Sequence, residues 1–215
     1  MKQGLLITFE GVDGGGKSTQ LQLAAEYLRG LGYEVVTTRE PGGTPLAEQV
    51  RSIVLDAALP LTTTTQTLLY LAARSEHVDK LVRPALAAGK IVLCDRFSDS
   101  TMVYQGLCHG KTLAELGELR QLNLFATENL VPDLTLVFDG RPEVLVERRN
   151  LRGVTDRYEQ EGLEFQQRLR AGFLTLAQAE PERVRIVDAE GSMGAVAAKV
   201  RVVLDEALQV AKDVE

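Results

Sequence analysis

The stretch Gly11-Val12-Asp13-Gly14-Gly15-Gly16-Lys17-Ser18 constrains this chain more than any other. It fits G-x-x-x-x-G-K-[ST] and stands between a short apolar run and a segment of helical period. Four glycines allow positive φ angles and bring backbone N–H groups close to phosphate oxygens. The helix that follows adds the partial positive charge of its N-terminus. Lys17 can bridge the β- and γ-phosphates of a nucleotide, and the Ser18 hydroxyl can ligate Mg²⁺, with Thr19 beside it in the first helical turn. A glycine-rich turn without a ligand is the plainer alternative, but it has no use for the Lys-Ser pair. Phosphate binding alone does not separate a kinase from a switch or a motor.

The rest of the chain follows the rhythm set by that loop. Apolar runs at Leu5 to Glu10, Glu34 to Thr38, Ile91 to Asp95, Leu134 to Asp139 and Val184 to Asp188 alternate with segments of helical period. This predicts an α/β fold with a five-stranded parallel sheet flanked by helices. Leu21, Ala24, Ala25, Leu28 and Leu31 mark the first helix, with Gly32 as its stop. Further helices are predicted over Leu46 to Leu55, Thr65 to Ala88 (Pro84 bending or ending it), Leu113 to Asn129, Pro142 to Asn150, Leu163 to Ala179 and Met193 to Val210. At 215 residues, with no repeat or linker, the chain reads as one domain spanning residues 1–215.

Composition narrows the chemistry. With 24 Lys and Arg against 30 Asp and Glu the net charge is -6, so an extended nucleic acid is not an expected partner and a phosphate ligand needs a local basic cluster. No run approaches a membrane span and no cleavable leader precedes the first strand, so the expected location is the cytoplasm, with no membrane partner. Cys94 and Cys108 lack metal or redox spacing, and His77 and His109 cannot by themselves build a zinc site or a typical triad.

The three asparagines, Asn123, Asn129 and Asn150, are each followed by Leu, which removes the Asn-Lys-x-Asp pattern of guanine-nucleotide switches. Asp95-Arg96 closes an apolar strand, where open α/β sheets bind ligands. There Asp95 can hold a magnesium-bound water and Arg96 can fork onto a phosphate. Arg148 to Arg157 contains four arginines and one acid, with Gly153 as a hinge. A charge run of this kind is most often a solvated face; after a phosphate loop it suits a lid, over about residues 148–161, that supplies charge to a transition state.

Together with Thr38-Arg39-Glu40-Pro41-Gly42-Gly43-Thr44, Ala72-Ala73-Arg74, Asp95-Arg96-Phe97-Ser98-Asp99-Ser100, Tyr104-Gln105-Gly106 and Pro132-Asp133-Leu134-Thr135, these features resemble bacterial thymidylate kinases over nearly the whole chain. The resemblance implies a P-loop NTPase fold of the nucleoside monophosphate kinase type with an arginine-rich lid, working as a homodimer. It implies transfer of the γ-phosphoryl of ATP, with Mg²⁺, to thymidine monophosphate (dTMP), giving the diphosphate for dTTP biosynthesis. Carried over by position, Tyr70 stacks on the base and Arg74, one turn on, bonds a base carbonyl. Asp13 lies near the sugar and Mg²⁺, with Ser18 and Asp95 as further metal contacts. Arg96 grips the acceptor phosphate, Arg39 and Ser100 line the same site, and Thr101 approaches the base. Tyr104 crowds the 2′-position, and Gln105 shapes that pocket. The phosphate loop lacks an arginine and so resembles the subtype whose catalytic arginines are in the lid, here Arg148, Arg149 and Arg152, acting with Lys17, Arg96 and Asp95. Gly15 stands where this family often has alanine, and Asn150 where some members have a lid arginine.

Two other classes were open at this level. A kinase acting on a nucleoside hydroxyl would need a carboxylate base, for which Asp13 or Glu40 could serve. A non-catalytic ATP-binding regulator would have no need of Asp95-Arg96, Arg74 and an arginine lid together.

Overall fold

A computed structural model describes residues 4–150, 158 and 161–213. Five strands, β1 (Leu6–Gly11), β2 (Val35–Arg39), β3 (Ile91–Asp95), β4 (Leu134–Asp139) and β5 (Val184–Asp188), form one sheet in the order β2-β3-β1-β4-β5. Every pairing is parallel, so all five C-terminal ends reach the same edge. β1 is buried throughout at the centre, whereas the edge strands β2 and β5 keep half-exposed residues. The strand bounds differ from the sequence reading by one residue at β1 and β2.

Alternation along β1 sends Ile7 and Phe9 into a core with helix α1 (Lys17–Gly30) and the last helix, α9 (Met193–Asp213). Leu6, on the opposite face, packs with Val92, Cys94 and Phe97. α1 ends as its sequence predicts: Gly32 is left-handed at φ +89, Tyr33 N–H reaches Leu28 O and Gly32 N–H reaches Arg29 O. Helix α2 (Pro45–Leu55) is capped by the Thr44 hydroxyl, which accepts from Ala47 N–H.

The helix predicted over Thr65 to Ala88 is divided. α3 (Thr63–His77) passes into a π turn at Val78–Val82 and then α4 (Arg83–Ala87). Pro84 cannot donate to the helical ladder, and the wider turn lies immediately upstream of it. A short helix the sequence reading lacked, α5 (Ser98–Tyr104), follows β3. The predicted helix from Leu113 begins as a 3₁₀ turn, Leu113–Leu116, and continues as α6 (Gly117–Thr127). Glu128 and Asn129, taken as its end, are both left-handed. α7 (Pro142–Asn150) and α8 (Leu163–Ala179) match their predicted bounds, and α9 runs three residues further than predicted. Both cysteines are free and buried. Among the described residues no helix is long and apolar enough to cross a membrane.

Candidate active site

The loop from β1 to α1 holds its own lysine. Gly14 has φ +88, and a Cβ there would come within 2.0 Å of the Leu145 carbonyl oxygen, so glycine is required twice over. Lys17 Nζ donates to Gly11 O at 3.0 Å and Val12 O at 2.9 Å, and lies 3.6 Å from Asp13 Oδ1. Burial lowers the Lys17 pKa, and nearby Arg96 adds to that effect. Ser18 donates to Asp95 Oδ2 at 2.5 Å, joining the loop to the end of β3. Gly15 lacks a positive φ, and a Cβ there would meet Val12 O at 3.3 Å, a close but small intrusion.

Arg96 follows β3 in a left-handed conformation, φ +70, which costs a non-glycine residue roughly 1–2 kcal/mol. Its backbone N–H donates to Phe9 O, and its carbonyl accepts from Cys94 Sγ. The guanidinium donates to Asp13 Oδ1 at 2.7 Å, Gly11 O at 3.2 Å and Ser100 Oγ at 3.2 Å, and its face lies 5.1 Å from the Tyr104 ring. Three of five N–H donors are so used, leaving two. Burial works to raise the Asp13 pKa, but Arg96 and Lys17 prevail and hold it well below the usual carboxylate range.

Arg74, 2% exposed, is fixed at four points. It donates from Nε to Glu40 Oε2 at 2.7 Å, from Nη1 to Thr101 Oγ1 at 2.9 Å and Asn123 Oδ1 at 2.5 Å, and from Nη2 to Phe97 O at 3.0 Å. Glu40 also meets His77 Nδ1 at 2.9 Å, and His77 Nε2 meets Thr38 Oγ1 at 2.7 Å. Burial acts to raise the Glu40 pKa, yet Arg74 and His77 bring it below normal. The histidine set aside on the sequence is thus in a Glu-His-Thr line, fully buried, whose role is to hold Glu40. Gly43, φ +83, lets the chain pass His77: an added Cβ would sit 2.6 Å from Thr38 Oγ1 and 2.7 Å from His77 Cδ2.

These groups surround one cavity of about 330 Å³. Its lining takes Asp13, Gly14, Gly16, Lys17 and Ser18 from the phosphate loop and the start of α1, Asp95, Arg96, Ser100, Thr101, Tyr104 and Gln105 from the end of β3 and α5, Tyr70 and Arg74 from α3, and Arg39 from β2. The Tyr104 ring is bounded by Tyr158, Phe165 and Phe173, and its buried hydroxyl has no hydrogen-bond partner among the described residues. Arg39 lines the cavity while its Nη2 donates to both Glu48 carboxylate oxygens. Gly11, Val12 and Gly15 are buried and do not line the cavity, and Thr19 is exposed on α1.

Arg148 does not line the cavity; its Nη1 donates to Ala189 O at 2.9 Å. The Arg149 side chain, Arg152 and most of the predicted lid lie outside the described residues. Tyr158, within that segment, is described. Its hydroxyl accepts from Gln105 Nε2 at 3.2 Å and donates to Gln66 Oε1 at 3.0 Å, and Tyr70 lies 3.4 Å away.

The sequence reading assigned no site role to Arg51, Leu55, Phe97 or Tyr158, which also line the cavity, nor to Pro41; Glu40 had been considered as a base. Arg51, on α2, donates to Pro41 O at 3.0 Å, and burial and the neighbouring Arg39 lower its pKa. Phe97 could have been found as the continuation of Asp95-Arg96, and Tyr158 as a lone aromatic among charged residues. Arg51 has no local signal.

The thymidylate kinase family model matches residues 9–200. The chain belongs to the thymidylate kinase family. It is 49% identical over 191 residues to a thymidylate kinase of Exiguobacterium sibiricum, covering 88% of this chain and 89% of that one. It is 50% identical over 196 residues to one from a Synechococcus strain, covering 91% and 93%. A crystal structure of thymidylate kinase from Ehrlichia chaffeensis superposes with a TM-score of 0.76 at 35% identity, covering 94% of this chain and 99% of that one.

Proposed function

We propose that the cavity takes dTMP with its base toward Tyr70 and Arg74 and its 5′-phosphate toward Arg96, facing the γ-phosphate of ATP held by the phosphate loop. The enzyme is a phosphotransferase that uses ATP to convert dTMP to dTDP. The observation that carries the binding mode is that one cavity is lined both by the anchored lysine and serine of the phosphate loop and by a four-point-fixed arginine. Arg74 keeps one Nη2 hydrogen beyond its four bonds, available for a base carbonyl. Tyr104 is held on several sides by aromatic rings and cannot retreat from a sugar that carries an added 2′-hydroxyl.

The acceptor phosphate has a second pKa of about 6 and arrives mostly as a dianion at neutral pH, so it needs no general base. Catalysis then consists of aligning two anions and neutralising their charge. Lys17 and Arg96, which share Gly11 O and Asp13 Oδ1 as partners, supply fixed positive charge beside the transfer. Asp13 keeps Arg96 aimed, and Arg149 and Arg152 in the lid are proposed to add charge as transfer proceeds.

The donor set fits Mg²⁺. The Ser18 hydroxyl and Asp95 carboxylate already share one small space, and both contacts to Asp13 fall on Oδ1, leaving Oδ2. Hard oxygen ligands of this number, completed by phosphates and water, are what Mg²⁺ takes. Bound there, Mg²⁺ would neutralise phosphate charge. We further propose a homodimer, supported by Leu46 and Ile53 on α2, Leu68 on α3 and Leu122 and Phe125 on α6, all exposed on neighbouring helices, and action in the cytoplasm, as the family's role in nucleotide biosynthesis implies.

The test is incubation with ATP and Mg²⁺ plus either dTMP or thymidine, followed by detection of ADP. ADP with dTMP and none above background with thymidine is expected. Turnover with thymidine alone overturns the acceptor assignment.

A further inference from the structure

Glu10, the fifth residue of β1, takes no part in the scheme above, yet it is fully buried and bonded to Phe97 and Ser100, which line the cavity. It shares a face of the strand with Leu6 and Thr8 and points toward the start of α5. Three donors converge on its carboxylate. Phe97 N–H reaches Oε1 at 2.7 Å, Ser100 N–H reaches Oε1 at 3.2 Å, and the Ser100 hydroxyl reaches Oε2 at 2.6 Å. Phe97 is the N-cap residue of α5 and has no side-chain oxygen with which to cap it. The Ser100 hydroxyl that donates to Glu10 also accepts from Arg96 Nη1. Glu10 therefore holds Arg96 twice, through the next residue's backbone and through Ser100 at its side chain.

We infer that Glu10 is a positioning residue for phosphoryl transfer: reaching across from β1 it supplies the cap that α5 lacks, fixes the left-handed turn at Arg96, and so sets where that guanidinium meets the acceptor phosphate. The inference rests on the proposed role of Arg96. A carboxyl-type side chain of this length suits the task because one of its oxygens takes both the Phe97 and Ser100 N–H groups while its other terminal atom meets the Ser100 hydroxyl, which a lone hydroxyl cannot do. Arg96 sits at a non-glycine left-handed φ, a conformation that persists only where its surroundings over-determine it. Glu10 is also three residues before Asp13, the other partner of Arg96, so one strand end determines both the donor loop and the acceptor clamp.

The test compares Glu10→Ala, Glu10→Asp and Glu10→Gln. Glu10→Ala is expected to lower kcat/KM for dTMP about 10²-fold, the scale of a reacting group misplaced by about an ångström, with KM for ATP changed less than about twofold. Glu10→Asp, one methylene shorter, should lose nearly as much, whereas Glu10→Gln, which keeps an oxygen for Phe97 and Ser100, should recover most of the activity. Hydrogen exchange of the peptide spanning residues 96–104 should quicken in the Ala and Asp variants and stay near wild type in Gln. Unchanged exchange in those two variants overturns the positioning role, as does equal loss in Asp and Gln. If Glu10→Ala does not fold, the Asp and Gln pair decides the question by the same two readouts. Arg96→Lys is measured alongside: if it leaves KM for dTMP unchanged, the phosphate role of Arg96 fails, and the exchange data still judge Glu10.

Discussion

At the scale of single residues, burial gives Glu10 a measurable pH signature. Removal from water raises its pKa from an ordinary 4.5 to about 7, despite the opposing pull of Arg96. Between those values the folded protein holds a proton that the unfolded chain has released. Stability contributed by this group is therefore lost as pH rises through that window, by roughly 3 kcal/mol in all. Glu10→Gln has no such proton, so the stability difference between variant and wild type should move in favour of the variant by about that amount from pH 4 to pH 8. Urea unfolding across the range measures it, and parallel curves would refute it. Arg74 and Glu40 form a different kind of pair, with both charges buried and hydrogen-bonded. Arg74→Met should destabilise by about 3–5 kcal/mol because it leaves Glu40 uncompensated, and adding Glu40→Gln should restore much of that loss. Denaturant midpoints of the two variants would check it.

Among the elements, α2 depends on its cap. Thr44 is buried, and its hydroxyl accepts from Ala47 N–H, so Thr44→Ala should cost about 1 kcal/mol of stability, read from a thermal unfolding shift. In α7, Arg148 is bonded to a carbonyl at the end of β5 and lies off the cavity. Arg148→Met is expected to change kcat less than about threefold, while loss of the lid arginine that acts as a finger should cost on the order of 10³. Steady-state kinetics of Arg148→Met beside Arg149→Met and Arg152→Met would separate them. All five strands and most of the helices were legible in sequence, most plainly where one signal dominated: apolar runs for β1, β3 and β4, and a helical period ending at Gly32 for α1. The short α5 was missed because its seven residues mix polar and apolar types without period, and its capping partner is a strand residue far away in the chain. The division of the helix around Val78–Val82 has no local marker beyond Pro84. The site shows the same contrast. Lys17, Ser18, Asp95 and Arg96 announce themselves by motif, whereas Arg51, Asn123 and Glu10 acquire their partners only when distant segments meet.

For the molecule as a whole, charge is segregated. A chain of net charge -6 gathers Lys17, Arg39, Arg51, Arg74 and Arg96 around one cavity, where two small polyanions are proposed to meet. Phe125, 85% exposed on α6, is the most prominent apolar side chain on the face proposed for pairing. Phe125→Glu should convert a dimer to a monomer in light scattering, and a wild-type monomer at micromolar concentration would refute the homodimer. The position of β1 in the sheet also has a consequence for how the chain is made. Although it is synthesised first, its two flanking strands begin at Ile91 and Leu134, and its Leu6 N–H is bonded to Asp133 Oδ2, 127 residues away. The strand that ends up buried along its whole length therefore leaves the ribosome before either neighbour exists. It must remain unpaired until Ile91–Asp95 has been made and paired on one side alone until Leu134–Asp139 follows, the interval in which a nascent chain of this topology is most exposed to aggregation and most in need of a chaperone.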